Sequence, residues 1–146
     1  SREVNQVYNS FAKLHKVVRF SNTAFFSGNL SRAYKFLDDA LLLFRRLNDQ
    51  KAISIASNNL GNTLLSMYKG KKRAGGCCII DERCIWHLCR QCYDESIDVA
   101  SKHYLKVFRS GTDKSKAQYA DQLANRRFNR ALFFFLTRND PCAPED

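Results

Sequence analysis

The chain has 146 residues, enough for one domain with a real core, and two prolines, Pro141 and Pro144, both near its end. No apolar stretch approaches the roughly 20 residues of a membrane-spanning helix, which excludes that class. Its 24 Lys and Arg against 14 Asp and Glu give a formal charge of +10, a basic surface that attracts acidic proteins, nucleic acid or anionic lipid.

Val7, Phe11, Leu14, Val18 and Phe25 recur at steps of three, four and seven, predicting a first helix over residues 3–26. Gly28-Asn29 is a turn. A second helix over 30–47 turns Leu30, Ala33, Phe36, Leu37, Ala40, Leu41 and Phe44 inward. Asn48-Asp49 makes the next turn and caps a third helix over 50–68, built on Ile53, Ala56, Leu60, Leu64 and Met67. Lys69 to Gly76 is basic and glycine-rich and reads as a mobile loop. One long helix is expected over 80–109, starting at Asp81-Glu82, with Ile97, Ala100, Tyr104 and Phe108 inside and Gly111 past its end. A fifth helix over 113–137 runs through Tyr119, Leu123, Phe128 and Leu132, and the tail from Asn139 is irregular.

Small residues fall at fixed offsets among these helices. Gly28, Ala33, Leu37 and Ala40 suit one tightly packed hairpin, because the short side chains of Ala33 and Ala40 let a neighbouring helix approach. Leu60-Gly61-Asn62 opens the next hairpin, with Phe20-Ser21-Asn22 and Leu123-Ala124-Asn125 as the matching steps of a first and a third copy. Together these residues resemble the tetratricopeptide repeat (TPR). Asn22 and Asn62 stand 40 residues apart, against about 34 in the usual repeat, so the resemblance is to a long-repeat variant such as that of kinesin light chains. Asn62 and Asn125 are 63 apart, with an insertion at about 69–92 between them. The resemblance implies an all-α, right-handed α-solenoid of antiparallel hairpins with about five helices. That is one domain over 1–138, followed by an irregular tail over 139–146.

It also implies a groove lined by the first helix of each pair: Arg19 and Asn22, then Asn58, Asn59 and Asn62, then Gln122, Asn125 and Asn129. Amide side chains both donate and accept, so they can pair with the backbone of an extended peptide or tie neighbouring helices together. Arg19 suits a carboxylate. The function expected is a non-enzymatic scaffold binding a peptide or protein partner through this groove and its apolar ends. Leu132, Phe133, Phe134, Phe135 and Leu136 form a run that is apolar all round and wants cover on more than one face. Another copy docking there head to tail would build a filament, which is the alternative reading. Lys69, Lys71, Lys72 and Arg73, with Arg126, Arg127 and Arg130, leave a third reading, a basic adaptor for nucleic acid or anionic membrane. No motif that reads RNA or DNA accompanies these clusters, so nucleic acid is the less expected partner.

Five of the six cysteines, Cys77, Cys78, Cys84, Cys89 and Cys92, crowd into the insertion, and the sixth is Cys142. A disulfide from Cys77 or Cys78 to a helix cysteine suits an extracellular chain, and free thiols suit a cytoplasmic one. Cys84-x2-His87 and Cys89-x2-Cys92 have short metal-ligand spacings. On one helix, however, each offers only a pair of ligands to a side, so no metal is assigned. His15, His87 and His103 are scattered, and no phosphate loop, HExxH or nucleophile elbow occurs; no catalytic residue or cofactor is implied. The chain begins at Ser1 without a signal peptide and reads as a piece of something larger.

Overall fold

The structure, a computed structural model, describes residues 2–143, with side chains from Leu14 onward; Val7 and Phe11 lie outside the described side chains. The elements run α1 (Arg2–Phe26), α2 (Leu30–Arg46), α3 (Gln50–Arg73), β1 (Ile79–Ile80), β2 (Arg83–Cys84), α4 (Ile85–Ser110) and α5 (Asp113–Leu136). The described residues are therefore mostly helical, with five helices, and each packs chiefly on the next in sequence: α1 on α2, α2 on α3, α3 on α4, α4 on α5.

The first two turns follow from their residues. Gly28 takes φ +82°, where a side chain is strained, and the Asn29 N–H donates to the Ala24 carbonyl at 2.8 Å, closing the end of α1. Asn29 and Asp49 each accept from a backbone N–H three residues on, capping α2 and α3. Ala33, Ala40, Ala52 and Ala56 are buried, so α1, α2 and α3 approach closely around Leu37, Leu41, Phe44, Leu60 and Leu64.

The segment expected to be a mobile loop is instead helix as far as Arg73. Lys71, Lys72 and Arg73 sit in the last turn of α3, where cations meet the negative end of the helix dipole. Lys72 also pairs with Asp140 at 3.4 Å, and Lys71 Nζ donates to the Ile79 carbonyl at 2.8 Å. The helix expected to start at Asp81-Glu82 starts at Ile85. Asp81 and Glu82 have φ of +48° and +62°, the paired positive values of a type I′ hairpin, and they join β1 to β2 in an antiparallel pair.

Three expected core residues face out. Phe108 is 54% exposed, Phe128 64% and Leu132 40%. On α5 the buried line runs through Leu123, Phe133 and Thr137, with Arg126, Asn129 and Arg130 partly covered beside it. Polar side chains hold that line because their partners are there: Arg130 meets Asp94 at 2.8 Å and Asn129 meets Asn58 at 3.0 Å.

Candidate functional site

The Asn set divides in two. Asn58 on α3 accepts from Asn129 on α5, and Asn62 accepts from the Tyr93 hydroxyl of α4 at 2.7 Å. These amides tie the helices to one another. Arg19, Asn22 and Asn125 are exposed, and Asn59 and Gln122 half-buried; Asn125 accepts from Arg126 at 3.0 Å. Of the small residues in the three copies, Ser21 and Gly61 are buried and Ala124 is exposed, so only the first two admit a neighbour.

Gln122 lines a small pocket between α3, α4 and α5 together with Lys51, His103, Tyr119 and Arg126. The pocket is cationic, and among the described residues Arg126 Nε is buried with no hydrogen-bond partner. Burial lowers the Arg126 pKa. The His103 ring lies 4.6 Å from Tyr119, and its pKa is lowered by burial and then by Lys106 and Lys51. Protonation is therefore easier in the unfolded chain. The stability His103 contributes is complete above the free imidazole value, about 6.5, and is lost as pH falls through the lower folded value. Thermal melts at pH 5 and pH 7.5 should show a loss on acidification that His103→Gln reduces; equal pH dependence in both proteins would refute this. A larger cleft of about 340 Å³ between α2, α3 and α4 includes Tyr34, Asp38, Arg83 and Gln91, but its Arg45 and Glu95 already pair at 2.7 Å.

The terminal run separates by face. Phe133 is not on an assembly surface: it is fully buried, 5.3 Å from the Trp86 ring and 5.5 Å from Tyr93. Phe134 is half-buried, with the Arg90 guanidinium 5.8 Å above its ring. Leu132, Phe135 and Leu136 are exposed, at 40%, 60% and 41%, and with Phe128 they form one uncovered row on α5. The helical period explains the split, because 128, 132 and 135 share a side that 133 does not.

No disulfide joins any of the six cysteines in this structure, including Cys77 or Cys78 to a helix cysteine. Cys89 is fully buried, and burial pushes its pKa up. The fold instead brings Cys84 to Cys142, with Sγ atoms 3.5 Å apart. His87 joins them, and the ligand atoms of all three lie within 4.8 Å of one another. Cys84 ends β2 at the N-cap of α4, and His87 follows one turn into the helix. Cys142 arrives from the turn after α5. Its N–H donates to Asp140 Oδ1 at 2.7 Å, and Asp140 is held from α3 by Lys72 and the Tyr68 hydroxyl. The contact with Cys84, then burial, raises the Cys142 thiol to about 11. Sequence spacing gave Cys84 and His87 as a pair, but nothing local marks Cys142 as their neighbour; only the path of the tail does.

No helix among the described residues is long and apolar enough to cross a membrane. No family model, curated protein or solved structure matches the chain.

Proposed function

We propose that this chain is a non-enzymatic scaffold of TPR-like hairpins, wound as a right-handed solenoid, that holds an acidic amphipathic helix of a protein partner. The uncovered row of Phe128, Leu132 and Phe135 on α5 carries the reading. Its spacing of four and three residues matches the stripe by which one helix receives another. An exposed apolar row of this kind on a charged protein marks an interaction surface. Arg127 on α5 and Arg138 in the turn after it are exposed, and the Arg138 guanidinium lies 4.4 Å from the Phe135 ring centroid. Acidic side chains flanking the partner's apolar stripe would meet those two arginines. The Asn-lined groove contributes less to this reading, since Asn58, Asn62 and Asn129 already bond within the chain.

The test is a titration of a fluorescein-labelled synthetic helix with Leu at four- and three-residue steps and Glu between, followed by anisotropy. Binding of about micromolar affinity is expected, at least about tenfold weaker for Phe128→Glu/Phe135→Glu, with unchanged helicity by circular dichroism. A monomeric wild type that ignores the peptide refutes the reading.

Head-to-tail assembly remains a second reading because Phe20 and Phe26 of α1, at the other end of the helix order, are also exposed, at 46% and 82%. Sedimentation equilibrium separates the two. A mass that rises with concentration and falls back to monomer in the same double variant favours assembly.

A further inference from the structure

Two thiols and an imidazole from separate parts of the chain converge at the start of α4. We propose that Cys84, His87 and Cys142 bind one zinc ion, which clasps the segment after α5 to the start of α4 and leaves the fourth position to water.

The sulfur spacing is compatible with a shared metal. A bonded sulfur pair stands about 2.05 Å apart. Two thiolates on one tetrahedral zinc, each at about 2.3 Å, stand about 3.8 Å apart. The observed 3.5 Å between the Cys84 and Cys142 sulfurs is a non-bonded thiol contact, too long for a disulfide and within a few tenths of an ångström of the spacing a shared zinc requires. His87 offers the third ligand within 4.8 Å of both, against about 3.6 Å between sulfur and nitrogen on a tetrahedral zinc, so its exposed side chain has to close by up to about 1 Å on coordination. Two thiolates with one imidazole is a donor set that zinc prefers.

The surroundings hold the ligands in place. Cys84 is at the N-cap of α4 without a side-chain cap bond, so its sulfur is not spent on the helix. Cys142 is fixed by its N–H bond to Asp140, whose other oxygen is held by α3. Trp86, between Cys84 and His87 in sequence, is fully buried, and its Nε1 donates to Thr137 Oγ1 at 2.8 Å, which brings the tail across this end of α4. The two sulfurs are thus placed before any ion arrives, which lowers the ordering cost of binding.

The experiment is a cobalt titration of the full chain, reduced with a phosphine and desalted. Uptake of about one Co²⁺ per chain is expected, with a thiolate-to-cobalt absorption band that Zn²⁺ abolishes by displacement. His87→Ala and Cys142→Ser should each lose the band, and Cys77→Ser, at an exposed thiol outside the cluster, should keep it. His87 is exposed, so its variant keeps the test decisive even where Cys142→Ser fails to fold. The proposal is overturned if the reduced chain takes up no Co²⁺, or if both ligand variants bind as the wild type does. It is overturned equally if the native chain is isolated with a Cys84–Cys142 disulfide that on reduction binds neither metal.

Discussion

Trp86→Ala should destabilise the fold by about 3–5 kcal/mol, the range for removing a buried aromatic. Trp86 is fully buried at the junction of α4 and α5, 5.3 Å from the Phe133 ring and 6.3 Å from Phe134. Its indole N–H also donates to Thr137 Oγ1, which in turn donates to the Phe133 carbonyl at 2.8 Å, so the indole helps close the end of α5. Alanine removes both the ring contacts and the donor. Trp86→Phe keeps most of the packing and loses the hydrogen bond, so its cost should be nearer about 1 kcal/mol. Urea denaturation measures both. For a chain of this length the alanine variant's midpoint should fall by about 10–16 °C in a thermal scan. Hydrogen exchange should show residues 137–143 opening first, because the tail rests on this side chain. Equal stability of Trp86→Ala and the wild type would mean that α5 is held elsewhere.

The helical half of the fold was legible because its signals are local. Gly28, Asn29, Asn48 and Asp49 punctuate α1, α2 and α3 with turn chemistry contained within a few residues, and Ala33 and Ala40 lie on the face that becomes buried. The hairpin at 79–84 was not legible as such. Two strands of two residues carry no period, and the turn uses Asp81 and Glu82 where positive φ is usually given to Gly or Asn. On α5 the apolar side chains misled, since the inward line includes Arg126 and Arg130 while Phe128 and Phe135 face out. Hydrophobic periodicity finds the core face only where the other face is polar, and α5 has apolar residues on two. The thiol–imidazole cluster depended on contacts between residues 58 positions apart, which no local spacing encodes.

Gly61→Ala should destabilise by about 1–2 kcal/mol even though alanine favours a helix by about 1 kcal/mol over glycine. A Cβ at Gly61 would lie 2.8 Å from Tyr93 Cε1 and 2.9 Å from Cζ. The ring has little room to move: Tyr93 is fully buried, its hydroxyl donates to Asn62 Oδ1 at 2.7 Å, and the Phe133 ring packs 5.5 Å away. Moving it costs the overpacking penalty of about 1–3 kcal/mol and strains the Asn62 bond, and together these outweigh the helix gain. Gly61→Val, which adds two more carbons at the same point, should cost about 3 kcal/mol. A double-mutant cycle distinguishes this steric account from a general intolerance of α3 to substitution. In a Tyr93→Leu background the ring is gone, so Gly61→Ala should become neutral or stabilising by up to about 1 kcal/mol. If Gly61→Ala stabilises the wild-type chain, α3 and α4 do not approach as closely as the missing side chain permits. If its cost is the same in both backgrounds, Tyr93 is not what the glycine makes room for.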